Sequence, residues 1–168
     1  MDPYYPPLGF FFEVIFQEPG QASGPVQEYL SKGKGLSFQS VSGLNSEVVT
    51  ETYSEGGNNE FDHVLPVKTQ YSPLVLKRGL WIPEKVQAGE SKIQAWFHEM
   101  MQQRRVQPKD LIINLLNRAR GNNKIHMSWS VRRAWPLKWS ISDFNAQESQ
   151  VVIESMEMHY DSFTITKP

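Results

Sequence analysis

The 168-residue chain contains no cysteine. That excludes a disulfide framework, a thiolate metal site and a cysteine nucleophile, and it fits synthesis in the cytoplasm. A charge excess is missing as well: 17 Lys and Arg stand against 18 Asp and Glu. With a net charge of −1 and a pI near 6.4, no global field draws the chain to nucleic acid or to an anionic membrane. The opening MDPYYPPLGFFFEVIF has no basic region ahead of its apolar stretch and carries Glu13 within it. Neither a signal peptide nor a membrane span is expected there. Internal repeats and heptads are also absent.

Motifs that carry chemistry are equally scarce. His63, His98, His126 and His159 stand apart, with no H-x-H or H-x-x-x-H spacing to bring two ligands to one metal. There is no G-x-S-x-G elbow. The stretch Gly56-Gly57-Asn58-Asn59 lacks the Lys-Ser/Thr that completes a phosphate loop. The carboxylate pairs Glu154/Glu157 and Glu60/Asp62 read most simply as solvated faces or inter-subunit ion pairs. A Ser-His-Asp set that meets only in space leaves no mark on a sequence, so a small hydrolase stays as the least supported reading. No catalytic residue, metal or cofactor is expected.

What the chain does have is apolar and aromatic content in a strand period. Hydrophobic residues make up 39% and aromatic residues 12%, against 21% charged, which is the balance of a globular chain with a real core. One domain over 1–168 is expected. From Met127 the side chains alternate: Met127, Trp129, Val131, Arg133 and Trp135 on one face, Ser128, Ser130, Arg132 and Ala134 on the other. That period of two is a half-buried strand. Pro136 cannot donate to a ladder, so the strand must bend or lie on an edge there. A turn follows over 142–146, and a single second strand is expected from 148 to 166.

Upstream, residues 2–8 hold three prolines and two tyrosines, an extended arm over 1–8. Leu8 to Gln17 reads as a strand with Phe10, Phe12, Val14 and Phe16 on one side. Residues 18–35 read as a long loop. Short strands follow at 36–41 and 47–53, with Gly43 between them, and the segment 53–72 reads as a second long loop around the turn-forming SEGGNN. Leu74 to Trp81 is a strand. A helix is expected over 91–105, opened by the capping box Ser91/Gln94 and striped by Ile93, Trp96, Phe97, Met100 and Met101. Arg104 and Arg105 suit its C-terminal end, and Pro108 stops it. Lys109 to Asn117 is a strand with Leu111, Ile113 and Leu115 on its better-buried face, and Arg118 to Lys124 is a hairpin turn. About seven or eight strands and one helix make a mainly β fold, two packed antiparallel sheets of sandwich or barrel type with the helix plugging one opening.

Two features point away from a self-contained domain. Val151, Val152 and Ile153 are apolar on both faces, and Glu154 falls on the Met156 side. Either a bulge shifts the register, or both faces are covered, by the chain's own fold or by a neighbouring subunit. Open edges and long polar loops add to this, because an edge strand needs a partner or a guard. A basic and aromatic set (Arg104–Arg105, Arg118–Arg120, Arg132–Arg133, Trp129, Trp135, Trp139) could stack nucleic acid. Strand alternation places Arg132 and Arg133 on opposite faces and splits it. A monomeric β-barrel that binds a ligand or nucleic acid is the alternative reading.

In order and at these distances, YYPPLGFFFEV (4–14), FQSVSGLNSEV (38–48), GGNNEFDHVLP (56–66), LVLKRGL (74–80) and WSVRRAWPLKW with SISDFNAQESQVVIESMEM (129–158) resemble the tube proteins of contractile phage tails and related contractile injection systems. The resemblance spans most of the chain. It implies two antiparallel sheets plus a helix, and a non-enzymatic subunit that forms homo-hexameric rings stacked into a hollow conduit within a phage tail or injection particle. It also implies adjacent rings, a sheath protein, and spike or hub and baseplate proteins as partners, with no stable membrane insertion and no specific nucleic acid. Ring-to-ring and subunit contacts are expected at Tyr4, Tyr5, Glu55, Gly56, Gly57, Asn58, Asn59, Glu60, Phe61 and Glu154. The long 18–35 insertion and the 81–90 extension depart from a plain tube subunit. A tube initiator seated on the spike and the repeating subunit are both consistent with the pattern.

Overall fold

The longest element is a strand of 18 residues, and it serves two sheets. The computed structural model describes residues 11–20, 36–54, 61–80, 90–117, 124–145, 147 and 150–166. Within them the chain runs β1 (Phe12–Gln17), β2 (Ser40–Ser42), β3 (Ser46–Tyr53), β4 (His63–Tyr71), β5 (Leu74–Gly79), α1 (Glu90–Gln103), β6 (Lys109–Asn117), β7 (Lys124–Ile141), β8 (Ile153–His159) and β9 (Ser162–Thr166). Neighbouring strands are all antiparallel. The first half of β7 pairs with β6 and β9, and β1 extends that sheet beyond β6. The second half pairs with β8, which carries β5 and then β2. β3 and β4 pair only with each other.

The switch between sheets is made at one residue. Arg133 takes φ 52°, the left-handed region that a non-glycine residue seldom occupies. Its amide N–H donates to Oδ1 of the buried Asp110 at 2.9 Å, and the other carboxylate oxygen accepts the Gly20 N–H at 3.1 Å. Opposite, the β8–β9 partner breaks at Tyr160 and Asp161. The Asp161 N–H donates to Arg132 O at 3.1 Å, and its carboxylate meets Arg133 Nε at 2.9 Å on the surface. The corner resets the alternation: Val131 is buried, and so are Ala134 and Pro136. Arg133 and Trp135 therefore do not continue the Val131 face. The second strand expected over 148–166 is two strands, because the corner of β7 must be matched by a corner in its partner. Pro136 falls at a register shift between Pro136 and Lys138, the kind of place a proline is tolerated.

The core lies between the two sheets, built from Val14, Leu74, Leu76, Leu111, Val131, Met156 and Met158, and closed by α1 through Ile93, Trp96 and Phe97. Trp96 stands edge-on to Phe16 at 6.1 Å between ring centroids, and its indole N–H donates to Gln107 O at 2.8 Å. The helix differs from expectation at its end. Arg104 adopts φ 53° and its N–H donates to Met100 O, closing the last turn, so Arg104 and Arg105 lie past the helix rather than in its final turn. Met101 is exposed, outside the buried stripe. Strand β6 is buried on both faces: Ile112 packs off-core across from Ile15, and Asn114 accepts from Ser128 Oγ while donating to Glu13.

Two further expectations change. The segment 53–72 is not a loop throughout, since β4 occupies His63–Tyr71. Pro66 and an unpaired Val67 disguised it; an edge strand with a bulge accommodates both. The strand expected at 36–41 reduces to an isolated bridge of Leu36 to Val14, with β2 beginning only at Ser40. The arm over 1–8, most of the 18–35 loop and the 118–123 turn lie outside the described residues.

Gly43 turns the chain from β2 towards β3 at φ 95°, and a Cβ there would stand 2.0 Å from the Pro73 carbonyl oxygen. Gly43→Ala is expected to destabilise the fold by about 3 kcal/mol or more, through a strained backbone plus a clash with main chain that cannot rotate away. Urea unfolding of the full chain measures it, and an unchanged midpoint would contradict the geometry.

Candidate assembly surfaces

The β3–β4 ribbon leaves the body as an arm. Both strands are exposed nearly throughout, and neither packs substantially on any other element. By the register, Val48, Thr50, Thr52, Val64, Pro66 and Thr69 share one face, which carries no charge. Glu47, Glu51 and Lys68 all fall on the other, with Tyr53, His63 and Leu65. Val48, Val64, Leu65 and Val67 are each 55–59% exposed. A two-stranded ribbon standing alone in water is marginal at best, and this one presents apolar side chains that nothing among the described residues covers.

The root of the arm, by contrast, is held firmly. Tyr71, the last residue of β4, packs on Tyr160 and Phe163 at 5.5 and 5.8 Å between ring centroids. The Tyr160 hydroxyl donates to Gly43 O at 2.8 Å and lies 3.4 Å from Asn45 O, and Asn45 Oδ1 accepts the Ser72 N–H. Burial raises the Tyr160 phenol above its ordinary value of 10.0, only partly offset by the backbone at Asn45. Tyr160 sits in the break between β8 and β9, so one side chain ties the sheet corner to the root of the arm.

A second surface lies along β7. Beyond Ala134 its edge away from β8 has no partner strand among the described residues, and Leu137, Trp139 and Ile141 are partly exposed along it. Trp139 is fixed from below: its indole N–H donates to Glu154 Oε1 at 2.7 Å, while Arg78 Nε donates to Oε2 at 2.7 Å. Gln94 from α1 reaches the same carboxylate at 3.4 Å. Arg78 Nη2 is buried without a partner among the described residues, and the guanidinium lies over the Phe38 ring. At the other end of this sheet β2, only three residues long, is also one-sided among the described residues.

Of the residues expected at contacts, Tyr4, Tyr5, Glu55, Gly56, Gly57, Asn58, Asn59 and Glu60 lie outside the described residues. Phe61 is exposed near the end of the arm, 5.2 Å from the His63 ring. Glu154 is wholly buried, and its carboxylate accepts from Arg78, Trp139 and Gln94, while Val151 nearby stays exposed. The open β7 edge and the Tyr160 clamp escaped the sequence reading, because both depend on the corner. No cluster of potential metal ligands occurs among the described residues. The tryptophans do not form a stacking platform with arginines: Trp129 packs against the core, Trp135 tilts over His159, and Trp139 is pinned to Glu154.

The profile of the T4-like virus tail tube protein gp19 family matches residues 10–164. The chain belongs to that tail tube family. A tail tube protein is a structural part of its particle, and this chain is a structural protein rather than an enzyme. No curated protein matches it in sequence. Among solved structures, a chain of the anti-feeding prophage baseplate superposes with a TM-score of 0.75 at 24% identity, covering 98% of each chain. A chain of the sheath-tube complex of the extracellular contractile injection system PVC gives 0.74 at 22%, covering 98% of this chain and 93% of that one. One from the anti-feeding prophage tube-terminating cap gives 0.76 at 23%, covering 100% and 95%. An Hcp protein shares the fold more distantly, at 0.54 and 11%. At such identities the likeness establishes the fold, mainly β as the strand pattern implied and tube-like as the family resemblance implied. No helix among the described residues is long and apolar enough to cross a membrane.

Two predictions follow from the tail tube fold's polar contacts. Glu154→Gln is expected to cost about 3–5 kcal/mol, because it strands the buried Arg78 charge, whereas pairing it with Arg78→Met recovers most of the loss. Urea midpoints of the two variants test this, and equal losses would refute it. Tyr160 is neutral in the folded state to higher pH than in the unfolded chain, so its contribution is complete below about pH 10 and is lost as pH rises through the raised folded value. Tyr160→Phe should lower stability by about 1–2 kcal/mol at neutral pH and flatten that alkaline decline, as read from thermal midpoints across pH 8–11.

Proposed function

We propose that the chain forms hexameric rings that stack into the hollow tube of a contractile phage tail or injection system. The observation that carries this is the β3–β4 arm, a rigidly rooted ribbon with an apolar face and nothing among the described residues to cover it. A second copy is the economical cover. The two open edges of the β7–β8–β5–β2 sheet support the ring: pairing one end of a sheet with the other end in the next copy is a head-to-tail contact, which closes into a ring when the rotation allows. Closure also removes the free edges. Six copies are supported by the family, and by the similar fold found in the anti-feeding prophage baseplate, which was six-fold symmetrised.

The channel of such a ring is a conduit, and its stiffness comes from inter-subunit ladders rather than from any reactive site. A sheath outside the tube and a baseplate at its end fit the particles in which similar chains stand. Electron microscopy of the purified full chain, with native mass alongside, tests the proposal. Six-fold rings are expected. Long self-propagating tubes assign the repeating subunit, and rings that never stack assign the tube initiator. A monomer at every concentration and with every spike or baseplate partner overturns the assignment and returns the chain to a monomeric binding barrel.

A further inference from the structure

The face of the β7–β8–β5–β2 sheet turned away from the core carries a row of hydroxyls around one cation. Ser40, Lys77, Ser155 and Ser140 stand in register across the four strands. Their chain neighbours Leu76, Arg78, Glu154 and Met156 are buried on the opposite face, so strand alternation alone sets the row. The face is hollowed there into an open cleft of about 740 Å³, to which Ser142 and Ile153 contribute beside the row. Neither an aromatic ring nor a carboxylate lines it among the described residues. The Lys77 ammonium and the hydroxyls of Ser40, Ser140 and Ser155 have no partner among the described residues, while Ser142 Oγ accepts the Ile153 N–H at 3.0 Å. Glu157, further along β8 on the same face, stands directly across from Lys138, and the exposed Asp143 follows Ser142 outside the lining. Lys77 is thus the one charge that the cleft itself holds.

We infer that this cleft binds a small phosphorylated sugar, with the phosphate at Lys77 between Ser40 and Ser155 and the sugar hydroxyls towards Ser140 and Ser142. The chemistry of the lining selects this class. A single cation flanked by hydroxyl donors, with no carboxylate to oppose it, suits an oxyanion, and bonds to such a group are the strong, charge-assisted kind. Paired strands lie about 4.8 Å apart, so Ser40 and Ser155 each stand one strand from Lys77 and Ser140 stands two strands away, at about 10 Å. A lone phosphate held by Lys77 does not reach Ser140, so the ligand has a body beyond its oxyanion. That body meets hydroxyls, which donate and accept alike and so match the hydroxyls of a sugar. The cleft volume falls among those of small-molecule sites, about 300–1,000 Å³. A nucleobase would find no ring to stack on. All of these residues come from one chain, so the site needs no ring to form. In the proposed ring the face opposite the core and α1 turns into the channel, and the cleft stays open when the sheet edges pair.

Isothermal titration calorimetry of the full chain at fixed ionic strength tests this, with glucose 6-phosphate, glucose and inorganic phosphate as probes. One site per chain is expected, tightest for glucose 6-phosphate. Lys77→Met should weaken that binding about tenfold or more, as loss of a hydrogen bond to a charged group does. Ser140→Ala should weaken it about two- to tenfold and leave inorganic phosphate unaffected, because Ser140 faces the sugar end. Lys77 is exposed and Ser140 half-buried on the outer face, so both variants keep the thermal midpoint of the unaltered chain, measured alongside. No saturable binding of glucose 6-phosphate overturns the inference, and so does a Lys77→Met variant that binds it undiminished. Equal affinity for inorganic phosphate and for the ester leaves an oxyanion spot without a sugar site and likewise overturns it. None of these outcomes bears on the tube assignment, which the microscopy decides.

Discussion

The structure depends on one backbone angle and the carboxylate that holds it. A strand can serve two sheets only if it turns sharply without losing its ladder, and β7 does so with Arg133 at φ 52°. A non-glycine residue there costs about 1–2 kcal/mol. The buried Asp110 offsets that strain by accepting two backbone N–H bonds, from Arg133 and from Gly20, and such charge-assisted bonds are about twice as strong as neutral ones. The partner strand must break at the same level, and the residue standing in that break is Tyr160. Its ring packs on Tyr71 and its hydroxyl holds Gly43. The direction in which the arm leaves the body is thus set by the same corner that sets the two sheets.

Where the sequence could be read, the reason was burial on one face only. The first half of β7 alternates because Val131 points into the core and Arg132 into solvent, and α1 shows its stripe because Ile93, Trp96 and Phe97 meet the sheets on one side. The corner was illegible because arginine carries no preference for positive φ; Asp110 imposes it from another strand. The same holds for Glu154. Among apolar neighbours it looked like a contact waiting for another subunit, and its partner Arg78 lies 76 positions away. β4 was lost for a different reason. An element exposed on both faces has no burial to impress a period on it, and Pro66 and Val67 then read as loop.

That last failure carries information. A segment whose residues suit a strand, with Val, Thr and Tyr in abundance, but whose pattern obeys no fold of its own chain is patterned for a surface outside it. The arm shows this once the register sorts its residues: the charges, scattered in sequence, collect on one face and leave the other clean.

In the proposed tube the two kinds of unsatisfied surface do different work. Sheet edges present backbone donors and acceptors, which are directional and fix spacing and register between copies. The uncharged face of the arm offers side-chain burial, which is non-directional and scales with area. Directional contacts suit closure of a ring, where an angular error would accumulate around the circle. Area-dependent contacts suit the join between rings, where a rigid root already supplies the orientation. The near-zero net charge suits that proposed assembly, since identical copies at −1 each repel one another little. A strongly charged chain would need counter-charges at every interface. In the proposed tube the uncharged face of the arm is the one buried, while the Arg133–Asp161 pair stays on the surface and Arg78–Glu154 is already neutralised within the fold.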